Sequence, residues 1–154
     1  MSIEKIQKIL FPTDFSPASE VVLRHATALA RGNNATLLIL HVEEPPLAYG
    51  SGEMFYSVSD FSTESLTKLL DKVVPPDPAV PVVRRLVTGD PASEIPRVAK
   101  EENVDLIVMG THGRTGLLRM LMGSVAELVV RRAPCAVLTV RQPEAAATTT
   151  AQKS

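Results

Sequence analysis

Residues 35–42 read Ala-Thr-Leu-Leu-Ile-Leu-His-Val, an almost unbroken apolar run between Gly32-Asn33-Asn34 and Glu43-Glu44-Pro45-Pro46. A strand with one wet face alternates polar and apolar residues, so a continuous run of this kind implies a strand covered on both faces. Shorter runs recur along the chain. They are Lys8-Ile9-Leu10-Phe11 before Pro12, Asp105-Leu106-Ile107-Val108-Met109 before Gly110, and Cys135 through Val140 after Pro134. Segments of helical period separate them. Ala18, Val22, Ala26 and Leu29 step by four, four and three, and Leu66, Leu69, Leu70 and Val73 fall at i, i+3, i+4 and i+7. Each set makes one apolar helical face.

The local punctuation fixes expected boundaries. Ser16 is a good N-cap and Pro17 suits a first helical position, so the first helix is expected to open there. Gly32-Asn33-Asn34 closes it with residues that tolerate a left-handed turn. The second helix is expected over 61–74. Residues 80–87 form the third strand, and Pro81, Arg84 and Arg85 suit a sheet edge. Asp90 caps the third helix, while Pro96 implies either a kink or a start near Ile95, because proline lacks the N–H of an interior position. The fourth helix covers 124–132, where Ser124 and Glu127 have capping-box spacing.

Strands and helices in alternation call for an α/β fold, a parallel sheet with helices on both faces. Right-handed crossovers out from strand one and then back to its other side give five strands in the order 3-2-1-4-5. Strands one and four are then neighbours at a topological switch point. Ligands of such sheets bind beyond the carboxyl ends of those strands. That directs attention to Pro12-Thr13-Asp14 and to the loop after Met109.

Composition narrows the classes. A length of 154 residues suits one domain. Sixteen basic and seventeen acidic residues leave a net charge of -1, so there is no basic field of the kind that draws nucleic acid. The single cysteine, Cys135, makes no internal disulfide or cysteine cluster. No apolar run reaches the roughly 18 residues of a membrane span, and the first residues do not resemble a secretory leader. A soluble, cytoplasmic protein is expected, with one domain over 1–141 and a mobile Ala/Thr-rich tail over 142–154.

The loop after the fourth strand carries the most chemistry. It runs Gly110-Thr111-His112-Gly113-Arg114-Thr115-Gly116 and continues to Gly123-Ser124. Glycines let backbone approach a ligand closely, and successive N–H groups can form an anion-sized hollow. Gly123-Ser124 opens a helix whose N-terminus carries N–H donors and partial positive charge. Arg114 and Arg119 add possible charge-assisted contacts. The lysine of a Walker loop is missing.

Gly110-x2-Gly113-x9-Gly123-Ser124 after a buried strand resembles the universal stress protein family, in its ATP-binding branch. The resemblance runs from Lys5 to Arg141. It includes Ile9-Leu10-Phe11-Pro12-Thr13-Asp14-Phe15-Ser16, Gly89-Asp90-Pro91, Asp105 to Gly110, and Arg132-Ala133-Pro134-Cys135 through Arg141. It implies a Rossmann-like fold of the adenine nucleotide alpha hydrolase type. It implies adenine between Pro12-Thr13 and the backbone near Val42, with Met109 beneath. It places Asp14 at the ribose, or at a metal through water, and Gly110 beside the ribose. It puts Gly113, Gly123, Ser124 and Val125 around the phosphates, with Mg²⁺ riding mainly on phosphate oxygens. The implied role is an ATP-binding stress-response regulator, often a homodimer. A dimer also follows from the fifth strand, an apolar edge through Ala136, Val137, Leu138 and Val140 that invites pairing with a second copy.

Plainer roles stand beside these. Asp14 can cap the first helix or bond its own turn, although its place at the switch point favours a ligand. Ser124 can simply tie down its helix, and the glycines can serve as turn residues. His112 reads as solvated, His25 and His41 as structural, Cys135 as a small core residue, and Met109, Met120 and Met122 as packing. The aromatics Tyr49, Phe55, Tyr56 and Phe61 in the 43–62 connection cover either their own domain or a partner, with the domain favoured. No Ser/His/Asp set is suggested. Strand one ends with Asp14 alone, unlike a phosphate-accepting receiver. Only Glu43 and Glu44 offer themselves as a base, so hydrolysis would be slow. A slow adenine-nucleotide hydrolase and a dimeric scaffold without nucleotide are the alternative functions.

Overall fold

The computed structural model describes residues 5–45, 62–111 and 122–141. Its elements alternate strictly: β1 Lys8–Pro12, α1 Ser19–Asn33, β2 Thr36–Glu43, α2 Thr63–Asp71, β3 Val82–Thr88, α3 Pro91–Glu101, β4 Leu106–Gly110, α4 Ser124–Arg132 and β5 Ala136–Val140. The five strands form one sheet in the order β3-β2-β1-β4-β5, and every pairing is parallel. The order read from the alternation is therefore the order found.

Side chains alternate across a strand, so the sheet divides the core into two halves. Ile9, Phe11, Leu37, Ile39 and Val108 pack with Val22, Ala26 and Leu70 of α1 and α2. Leu10, Leu38, Leu40, Val42, Ile107 and Met109 pack with Ile95, Val98, Ala126 and Val129 of α3 and α4. β2, buried on both sides, explains the unbroken apolar run that the sequence displays.

Several ends differ from the sequence expectation. α1 begins at Ser19, three residues after Ser16. The Ser16 N–H is already committed to Asp14 Oδ1 at 2.9 Å, and Ser19 and Glu20 donate back to the Ser16 and Pro17 carbonyls at 3.0 and 3.1 Å. These tight i→i+3 turns lead into the helix in place of a serine cap. At its other end Asn34 takes the left-handed conformation, with φ of 59°, as the asparagines suggested. α2 is shorter than 61–74 and is capped by Ser62, whose side chain accepts from the Ser65 N–H. α3 starts at Pro91, so a start near Ile95 is excluded, and Pro96 lies buried inside it. Asp90 holds the N-cap position but its carboxylate accepts from Ser93 Oγ at 3.0 Å. The connection from β3 is tight. Gly89 has φ of 152°, and a Cβ there would meet Glu94 Cγ at 2.8 Å. The 43–62 aromatics and the 142–154 tail lie outside the described residues.

Arginines tie β3, an edge strand, to both layers. Arg85 reaches Glu101 and Glu102 at the end of α3, and this holds the Glu101 carboxyl below its usual range, with Arg97 adding to the effect. On the other face Arg84 donates from Nε to the Leu70 carbonyl at 3.1 Å and from Nη2 to the Val73 carbonyl at 2.7 Å. It thereby gives a donor to the Val73 carbonyl just past α2 and a second one to the Leu70 carbonyl, which also accepts from the Val73 N–H. Arg84→Met keeps most of the stem and removes both bonds. It should lower unfolding free energy by about 1–3 kcal/mol in urea denaturation, the range for unpairing partly buried polar groups.

Candidate functional site

β1 parts from both β2 and β4 at its carboxyl end, and a proline stands at the point of parting. β1 pairs with β2 as far as Pro12↔Leu40 but with β4 only through Ile9↔Leu106 and Leu10↔Ile107. The next β1 residue facing β4 is Pro12, which has no N–H to give the ladder. The chain then turns away.

The turn itself is held by side chains. The Thr13 N–H still reaches the Leu40 carbonyl at 2.8 Å. Beyond that bond the parallel pattern stops. Thr13 is buried, and its Oγ1 accepts from the Phe15 N–H at 3.0 Å. Asp14 Oδ1 accepts from the Ser16 N–H. Phe15 has φ of 66°, a left-handed conformation that costs a bulky residue about 1–3 kcal/mol. Its ring lies tilted on His41, with centroids 4.3 Å apart. His41 is 7% exposed, and its Nδ1 lies 2.8 Å from the Thr13 carbonyl.

β2 continues past the point where β1 leaves. Its even residues direct N–H and C=O toward β1, as Thr36 and Leu40 do, and its odd residues toward β3, as Leu37 and Glu43 do. Val42 therefore aims one donor and one acceptor at the place that β1 has vacated. Its side chain is buried among the α3 and α4 residues.

The third strand at this end is β4. Gly110 is its last residue, paired with Val140, and the Thr111 N–H bonds the Val140 carbonyl at 3.1 Å. The Gly123 N–H then bonds the Thr111 carbonyl at 2.6 Å. That bond closes the two ends of the loop and fixes the start of α4 directly beyond β4. Gly123 is the N-cap and no side chain caps the helix. The expected capping box is absent, since Ser124 is the first helical residue, one place too late. Glu127 bonds through its backbone to Gly123 and pairs its carboxylate with Arg131.

Pro12, Thr13, Asp14, Val42, Gly110, Gly123, Ser124 and Val125 thus converge on one end of the sheet. Met109 does so as well, but its side chain belongs to the core beneath. Gly113 and Arg114 lie outside the described residues, as does His112. His25 is exposed and bonds the Val21 carbonyl. Cys135 is half-buried against the α3 and α4 side, and burial with nearby Asp105 pushes its thiol up. Sequence reasoning gave His41 a structural role without locating it and did not weigh Phe15. The available signal was a lone polar ring inside an apolar strand, close to its carboxyl end.

Comparison with known proteins gives the family and the fold. The profile of the universal stress protein family matches residues 5–141. The chain belongs to that family. Universal stress protein MJ0577 of Methanocaldococcus jannaschii is 33% identical, over 88% of this chain and 95% of its own. Universal stress protein MJ0531 of the same organism is 37% identical, over 90% and 84%. The solved structure of MJ0577 superposes with a TM-score of 0.68, covering 90% of this chain and 98% of that one. A universal stress protein solved in complex with cAMP is 26% identical, with a TM-score of 0.65 over 90% and 98%. Among the described residues of this universal stress protein, no helix is long and apolar enough to cross a membrane.

The Thr13 hydroxyl is the group that holds the strained Phe15 amide. Thr13→Val keeps the volume and leaves that N–H without its acceptor. Urea denaturation should show a loss of about 1–3 kcal/mol relative to the wild type.

Proposed function

We propose that this universal stress protein binds an adenine nucleotide, ATP carrying Mg²⁺, and acts as a nucleotide-dependent regulator. The observation that carries the reading is the backbone pair of Val42. One residue offers an N–H and a C=O side by side at the point where β1 has turned away. The edge of adenine presents a ring-nitrogen acceptor beside an exocyclic amine donor, which is the complementary pattern. Pro12 and Thr13 flank the base, with Met109 in the floor. Asp14 and Gly110 stand at the ribose. The phosphates run toward Gly113, Arg114, Gly123, Ser124 and Val125, where the uncapped end of α4 supplies N–H donors and partial positive charge.

The ion belongs with the phosphates. Among the described residues there is no group of three or more His, Cys, Asp or Glu side chains arranged for a metal. Magnesium commonly binds through substrate phosphates and keeps several waters, so Asp14 would reach it through water. The relative solved with cAMP supports the adenine nucleotide class.

Gly123→Asp tests the phosphate end. Gly123 has φ of -72° and ψ of 165°, which any residue adopts, and aspartate is a strong N-cap. The variant should fold with equal or greater stability while its carboxylate fills and repels the phosphate position. Calorimetric titration should show ATP affinity reduced at least tenfold. Unchanged affinity would remove the helix end from the site. Mass spectrometry of ligand released from the purified wild type identifies the nucleotide it carries.

The same reading includes a homodimer, with β5 of two copies antiparallel. β5 is a sheet edge, and Ala136 and Leu138 point outward, Leu138 being 39% exposed. Val137 is partly buried against the α3 and α4 side and Val140 is buried, so in this pairing Ala136 and Leu138 offer side chains while Val137 and Val140 take part through the strand backbone. Sedimentation at micromolar concentration should give a dimer, and Leu138→Lys should shift it toward monomer.

A further inference from the structure

One buried polar ring, His41, stands near the carboxyl end of β2. In a parallel pair, a residue of one strand donates to the residue before its partner and accepts from the residue after it. Leu40 obeys this, accepting from the Thr13 N–H across the Pro12↔Leu40 pair. Two residues on, the same rule assigns the Val42 N–H to the Thr13 carbonyl and the Phe15 N–H to the Val42 carbonyl. Neither bond forms among the described residues. The Thr13 carbonyl instead faces His41 Nδ1 at 2.8 Å, and the Phe15 N–H goes to Thr13 Oγ1 at 3.0 Å.

We propose that His41 is a positioning residue for the nucleobase: its Nδ1–H takes the Thr13 carbonyl that would otherwise capture the Val42 amide. The inference deepens the nucleotide reading and rests on it for its consequence, though not for its geometry. His41 is suited to this by place. It precedes Val42 on β2, so its backbone serves β3 while its ring rises on the α1 side and reaches over to β1. The Phe15 ring, 4.3 Å away, fixes its tilt. A buried carbonyl needs a donor, and a ring nitrogen supplied from within β2 satisfies it without using the amide that the ligand needs.

His41→Phe keeps a ring against Phe15 and removes the donor. Asn is the conservative counterpart, because its Nδ2 stands the same number of bonds from Cβ as the imidazole Nδ1. The first measurement is amide hydrogen exchange at Val42 by NMR in nucleotide-free protein. In the wild type this amide should exchange much faster than that of Leu40. In His41→Phe it should slow at least tenfold as the ladder closes on the Thr13 carbonyl, and in His41→Asn it should stay fast.

The second measurement is the preference for ATP over inosine triphosphate, whose base presents a donor and an acceptor in reversed order. The preference should fall at least tenfold in His41→Phe and be restored in His41→Asn. A general loss of fold would weaken both nucleotides alike and leave the ratio intact. A wild-type Val42 amide protected like Leu40, or an exchange rate and ratio unmoved in His41→Phe, would overturn the proposal. A wild type that binds neither nucleotide would defeat the nucleotide reading, while the exchange arm would still decide the role of His41.

Discussion

A parallel ladder creates an obligation whenever one strand leaves before its neighbour. Every abandoned N–H and C=O must find another partner or stay open to solvent and ligand. Here β1 leaves at Thr13 while β2 runs on to Glu43. The rest of the site follows from how that obligation is met. On the β4 side Pro12 carries no N–H, so none is stranded. On the β2 side the hydroxyl of Thr13 and the ring of His41 absorb the two groups that β1 would have given to Val42. The groups that β1 no longer gives to β2 are therefore taken up locally, and Val42 is left out.

The strain at Phe15 belongs to the same arrangement. A phenylalanine at φ of 66° is unfavourable by itself. Its N–H bond to Thr13 Oγ1 and the contact of its ring with His41 offset that cost. The conformation also turns the chain sharply enough for Asp14 to bond Ser16 and for α1 to begin at Ser19. Backbone direction and helix start are thus one local solution. Neither is set by the hydrophobic core alone.

Much of the fold was legible because burial writes itself into composition. Leu37 to Leu40 and Ile107 to Val108 are covered on both faces, and continuous apolar runs record that fact. The strand order followed from alternation and handedness. Boundaries governed by a single bond were less legible. Ser16 looks like an N-cap, yet its carbonyl is taken by the Ser19 N–H and hydroxyl in a tight turn, and the helix starts only at Ser19. Ser124 and Glu127 have the spacing of a capping box, yet the helix starts one residue earlier than the pattern needs because Gly123 is the cap. The placement of Pro12, Thr13, Asp14, Val42, Gly110 and Gly123 at one end of the sheet was legible from topology. The roles of His41 and Phe15 were not, because they depend on which carbonyl a ring nitrogen meets across 28 residues of sequence.

The two ends of the proposed site share a physical character. In the proposed reading the base would meet the backbone of Val42, and the phosphates would meet the backbone at the start of α4. Main-chain groups recognise shape and hydrogen-bond polarity without depending on their own side chains, so the Val42 side chain is free to serve the core. Specificity then moves to the residues that keep those groups available. At α4 that residue is Gly123, whose missing side chain leaves the helix end uncapped. At β2 it is His41, whose ring occupies the carbonyl that would close the ladder. A site of this kind is altered most by residues that compete for its backbone groups and least by substitution of the side chains beside the ligand.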